Sequence, residues 1–196
     1  MEQTKWTENV ILADADYVDA VAFNLTVNFE RMLGRRIPQA DMAQWAECVA
    51  LDGGLTEGDH EVQIILVHDR QTDGMKNFNP GKYEELNGKA FQGRMGEFTF
   101  TAVQTEEMAG KADLLGDMLQ VVGYQEGVKR LMLIVADHQL DGLRPLLKSI
   151  DRDNRRTTVF TMQPIQGGAF RHEMLGYSLM AALGISGKEI DEKLNR

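Results

Sequence analysis

Three observations predict a three-layer α/β fold, with a mostly parallel central sheet of about five strands and helices on both faces. Short, almost uniformly apolar runs alternate with longer segments whose apolar residues recur at three- and four-residue steps. The runs lack the polar alternation of a half-exposed strand, as strands covered on both faces do. Two of them end abruptly in an acid, Asp14 and Asp137.

The first run, Val10 to Ala13, delivers Asp14 and Asp16 to a strand-to-helix turn. Val18, Val21, Ala22, Leu25, Phe29 and Met32 then mark a helix that Gly34 ends. A second helix begins near Pro38, carries Met42, Trp45, Ala46 and Val49 on one face, and stops at Asp52-Gly53-Gly54. Val62 to Val67 reads as a buried strand ending at His68.

Residues 70–96 are rich in Gly, Asn and Pro, with one helical turn at Tyr83 to Leu86, and predict a loop-rich insertion or mobile flap. Phe98 to Val103 alternates as a strand, and a helix follows with Leu115, Met118, Leu119 and Val122 inward and Lys111, Asp113 and Asp117 outward. Leu131 to Ala136 is the strongest buried strand. Leu143 to Ile150 reads as a helix, Thr158 to Met162 as a strand and Glu173 to Leu183 as a helix; Ser186 with Glu189 forms a capping box for a last short one.

The 196 residues, 43% of them hydrophobic, predict one domain over 1–196. No run approaches the ~20 apolar residues of a membrane span, and the first residues lack the pattern of a signal peptide, so the expected location is the cytoplasm with no membrane contact. Cys48 lies on a helical apolar pattern and reads as packing. A net charge of −9 argues against holding nucleic acid by overall electrostatics and leaves a local basic groove as the alternative.

Asp14 and Asp137 stand at the carboxyl ends of strands, where open α/β sheets bind ligands. Asp113 and Asp117, four apart, share a helix face. Carboxylates brought into one cleft need raised pKa values or a cation, and an oxygen-only ligand set predicts Mg²⁺ or Mn²⁺, which would activate water for phosphodiester hydrolysis. Simpler readings exist. Asp16 followed by Asp19 equally reads as a helix cap, Asp113 and Asp117 as a solvated face, His68 and His138 as structural or surface residues, and Gly167-Gly168 as a turn.

The order of elements resembles the PIN-like nucleases, and within them the NYN group. Ile11-Leu12-Ala13-Asp14-Ala15-Asp16-Tyr17 is similar to that group's first strand and its Asp-Gly-Asp/Glu-Asn motif. Lys111 to Asp117 is similar to its Lys-x-x-Asp helix, and Val135-Ala136-Asp137 with Pro145-Leu146-Leu147 to its third acidic strand end. The resemblance implies Asp14, Asp113 and Asp137 as metal-binding catalytic carboxylates, Asp16, Asp117 and Asp141 as supporting acids, and a Mg²⁺- or Mn²⁺-dependent ribonuclease holding RNA in a local basic groove. Arg35, Arg36, Arg94, Arg144, Arg155 and Arg156 are the candidate cations.

Tyr17 stands where the group has Asn, Lys111 is one residue nearer its Asp, and Asp141 is spaced more widely from Asp137. A non-catalytic binding or scaffolding domain of the same fold, with a protein partner or a second copy, is therefore the alternative expectation. Asp14-x-Asp16 with Asp137 and Asp141 also resembles haloacid dehalogenase-like phosphatases, although the intervening strand ends in His68 rather than Ser or Thr.

Overall fold

The computed structural model describes residues 5–196; the start of the chain read above, residues 1–4, lies outside them. The elements in order are β1 (Asn9–Asp14), α1 (Ala15–Leu33), β2 (Ala40–Asp41), α2 (Met42–Asp52), β3 (His60–His68), β4 (Phe78–Asn79), α3 (Tyr83–Leu86), β5 (Ala90–Gly93) and β6 (Gly96–Gln104). They continue with α4 (Lys111–Gly123), β7 (Arg130–Ile134), α5 (Asp137–Ser149), β8 (Arg156–Thr161), β9 (Arg171–Met174), α6 (Leu175–Ala182) and α7 (Gly187–Leu194).

The main sheet has seven strands in the order β5-β6-β3-β1-β7-β8-β9, and only β5 is antiparallel to its neighbour. It is the mostly parallel, helix-covered α/β sheet that the sequence predicts, with two more strands. Both extra strands are edge pieces of four residues, too short for periodicity to register. One of them corrects an element boundary, because Arg171 to Met174 pairs with β8 and the helix expected from Glu173 begins at Leu175. A separate two-residue ladder joins β2 to β4.

Side chains alternate across the sheet. Ile11 and Ala13 of β1, Ile64 and Leu66 of β3, and Met132 and Ile134 of β7 face α1, α2 and α6, in a core that also holds Trp45. Val10 and Leu12, Ile65 and Val67, and Leu131 and Leu133 face the other way, onto Leu115 and Leu119 of α4 and Leu143 and Leu147 of α5. Every residue of β1 is buried. That two-sided burial explains why the central strands read as unbroken apolar runs.

Helix ends follow local chemistry. Gly34 closes α1 with φ +67°, a left-handed conformation that glycine adopts at little cost, and its N–H donates to Glu30 O at 2.9 Å. Asp41 caps α2 by accepting from Gln44 N at 2.9 Å. Ser186 caps α7 by accepting from Glu189 N at 3.2 Å, but the Glu189 side chain does not close a capping box; it pairs with Arg35 beyond the end of α1.

Residues 70–96, expected as a loop-rich insertion or flap, pack inward on the domain. Met75, Phe78, Tyr83 and Leu86 are buried in the same core as α1 and α2, and Phe91 stacks on Phe98 at 4.8 Å. The turn residues there punctuate a chain that folds inward, because each turn is followed by one large apolar anchor. Turn chemistry and mobility leave the same mark in a sequence.

Candidate functional site

Taken as parallel strands alone, β6-β3-β1-β7-β8-β9 has the chain order 3-2-1-4-5-6 of doubly wound folds. The order reverses between β1 and β7, and the crevice beyond their carboxyl ends is the expected ligand position. Asp14 ends β1 there, and Asp137 opens α5 three residues after β7. No glycine-rich turn separates β1 from α1, so the dinucleotide-binding variant of this order, which cradles pyrophosphate on such a turn, has no counterpart.

Asp14 is 1% exposed, and three donors surround it. It caps α1 by accepting from Tyr17 N at 3.1 Å. Lys111 Nζ lies 3.2 Å from its Oδ1, and Gln139 Nε2 donates to its Oδ2 at 3.1 Å. Gln139 is held in turn by its own carbonyl oxygen, which accepts from Ala136 N at 3.0 Å. The side chain thereby ties the end of β1 to the start of α5.

Asp16 is the second acid, and the expectation that it caps the helix is corrected, since Asp14 is the cap. Asp16 sits in the first turn and reaches outward to another part of the chain. It accepts from Asp69 N at 2.7 Å, Thr72 Oγ1 at 2.8 Å, Tyr83 OH at 3.3 Å and Lys111 Nζ at 3.0 Å. Tyr83 is stacked on His68, ring centroids 3.7 Å apart, and His68 Nδ1 is 2.8 Å from Asp69 O. His68 is thus a buried structural residue.

The electrostatics follow from these contacts. Burial alone would raise the Asp16 carboxyl, but the Asp69 amide, the Lys111 ammonium and the Thr72 hydroxyl outweigh it and hold its pKa below the ordinary 3.8. Burial would lower Lys111, yet Asp14 and Asp16 together hold it above 10.5. Tyr17 is pushed up to about 12 by burial and by the nearby charges of Asp137 and Asp14, so its phenol stays protonated. Asp137 Oδ1 is buried with no hydrogen-bond partner.

The remaining acids disperse. Asp113 and Asp117 are exposed on α4, where they line a groove against α5. Asp141 is exposed and lies 3.3 Å from Arg144. Among the described residues, no three His, Cys, Asp or Glu side chains come together in an arrangement that could hold a metal ion. The expected set Asp14, Asp113 and Asp137 is therefore not assembled as a ligand cage, and the cation between Asp14 and Asp16 is Lys111.

The arginines expected to line a basic groove are not gathered at this edge, although Arg70 and Lys82 line a pocket beside the ends of β3 and β6. Arg35 and Arg36 follow the far end of α1, Arg94 precedes β6, and Arg155 and Arg156 lead into β8, all toward the amino ends of the strands. Arg144 donates to the carbonyls of Gln166 and Gly167 and lies 5.5 Å from the Phe170 ring centroid. None of these six arginines is a partner of Asp14.

Sequence reasoning misses Gln139 and the Asp69–Thr72 turn altogether, and for Lys111, which it names in a motif, it misses the contact with Asp14 and Asp16. The apolar pattern sets Lys111 on the outer face, but at the first position of α4 its long side chain turns over the helix end toward Asp14 at the end of β1. Gln139 carries no signal, being 125 residues from Asp14.

Fold and site together define a doubly wound α/β domain with an ammonium-bridged acid pair at its switch point. The model of a family of unknown function (DUF6621) matches residues 3–190, nearly the whole chain, and the chain belongs to that family. No curated protein and no solved structure matches it.

Proposed function

We propose that this is a non-catalytic binding domain of PIN-like architecture that acts through the carboxyl edge of its sheet. The observation that carries the reading is Lys111 Nζ, 3.2 Å from Asp14 and 3.0 Å from Asp16. A divalent cation and an ammonium compete for the same carboxylate oxygens, and here the ammonium already relieves the repulsion between the two acids. Gln139, Tyr17 N, Asp69 N and Thr72 take further lone pairs, which a hard cation with six or more oxygen ligands would need. An RNA backbone would also require cations at this rim, and most of the arginines lie at the other end of the sheet.

The second reading, a Mg²⁺- or Mn²⁺-dependent nuclease acting on RNA, is favoured by one observation, the partnerless buried Oδ1 of Asp137. A buried carboxylate oxygen with no donor from the chain is a candidate ligand for a cation. The phosphatase reading ranks lower, because its nucleophile would be Asp14, which is 1% exposed and has both oxygens engaged.

Incubation with Mn²⁺ or Mg²⁺ and mixed RNA, DNA and phosphoester substrates separates the three. The expected result is no product above that of Asp137→Asn. Mn²⁺-dependent RNA cleavage that Asp137→Asn abolishes would replace the binding reading with the nuclease. Phosphoester turnover lost in Asp14→Asn would replace it with the phosphatase.

A further inference from the structure

The groove between α4 and α5 opens beside the switch point and has a volume of about 520 Å³. Its floor is apolar, made by Leu115, Leu143 and Leu146. Gln139, which holds Asp14, lies at its upper end. On the α4 wall stand Asp113 and Asp117, both exposed, and among the described residues neither forms an ion pair. Asp113, in the first turn, has a local role against the helix dipole. Asp117, one turn further along, has none.

Two glycines sit along the groove, Gly116 on α4 and Gly142 on α5. A Cβ at Gly142 would meet nothing within 4 Å, and one at Gly116 would touch only Leu143 Cδ2 at 3.9 Å. Neither glycine is required by internal packing, φ values there are helical, and glycine inside a helix is less stable than alanine. Both keep the groove open to close backbone approach.

Resting on the binding reading above, we infer that this groove docks a basic amphipathic helix of a partner protein. Its apolar face lies on Leu143 and Leu146, its backbone passes close to Gly116 and Gly142, and its Lys or Arg side chains meet Asp113 and Asp117. Charge complementarity selects this occupant: an apolar trough with uncompensated carboxylates on its wall, in a chain of net charge −9, repels acidic segments and nucleic acid and attracts cationic ones. Two flanking helices present the ridged surface into which a third helix packs with apolar anchors at helical spacing.

The test uses the full chain and a fluorescein-labelled helical peptide with Leu on one face and Lys on the flanks, followed by anisotropy. Expected is saturable binding that weakens about tenfold in Asp113→Asn/Asp117→Asn, falls with added salt, and is lost in Gly142→Phe, which fills the groove from an exposed position. Binding unchanged in both variants, or equally tight binding of the same peptide with Glu in place of Lys, overturns the inference. Dimerisation of the free chain that Gly142→Phe abolishes also overturns it, by making a second copy the occupant. Metal-dependent cleavage is a separate readout: its appearance defeats the binding reading, whereas peptide failure without cleavage defeats only the assigned partner.

Discussion

Lys111→Met lowers the free energy of unfolding by about 3 kcal/mol, because it leaves the carboxylate of Asp14 buried without its cation. The Lys111 side chain is 24% exposed and that of Asp14 2%, so the pair is only slightly screened by solvent. Asp14→Asn in the same background restores most of the loss, since the amide keeps an acceptor for Tyr17 N and removes the buried charge. Equilibrium urea unfolding of the four members of this cycle measures the coupling. Additive losses would show that Lys111 stabilises by packing alone.

The pH dependence of that cycle has a definite sign. Asp16 titrates below 3.8 when folded, so its contribution is present above that value and disappears as pH falls through its lowered pKa. Lys111 titrates above 10.5 when folded, so its contribution is present below that value and disappears as pH rises through its raised pKa. The difference between wild type and Lys111→Met is therefore widest between these limits and shrinks beyond either.

Arg155→Met costs a similar amount, about 3 kcal/mol, for a different reason. The side chain is 8% exposed, and its partners are backbone carbonyls. Nε donates to Val128 O at 2.9 Å, Nη2 to Gln125 O at 2.6 Å, and Nη1 to Ile150 O at 3.0 Å and to Gly123 O. Gly123 and Ile150 end α4 and α5, so one guanidinium satisfies carbonyls that both helices leave without partners and opposes both negative dipole ends. Arg155→Lys recovers only part of the loss, because an ammonium lacks the planar fork. Denaturant unfolding of the three proteins checks the order. Wild-type stability in Arg155→Met would mean that the carbonyls find other partners.

Arg155 and Lys111 also mark where sequence reasoning reached its end. The central strands were legible because burial on both faces leaves an unbroken apolar run, as in Leu131 to Ile134. The helices were legible because one buried stripe imposes a period, as Val18, Val21 and Ala22 do in α1. From these alone follow the α/β class, the parallel sheet and the placing of Asp14 at a strand end. The edge strand β9 and the packing of residues 70–96 were not legible, because short pieces and turns are defined by what they meet.

The candidate site divides in the same way. Sequence by itself determined that acids stand at the ends of buried strands and that Asp113 and Asp117 share a helix face, since both are properties of spacing along one element. Only the tertiary structure decided what surrounds each acid. It brought Lys111 and Gln139 to Asp14, turned Asp16 outward to Thr72 and Tyr83, and left Asp113 and Asp117 facing a groove. The charge and solvation of a carboxylate depend on groups within a few ångströms in space, and those groups come from positions as far as 125 residues away in the chain.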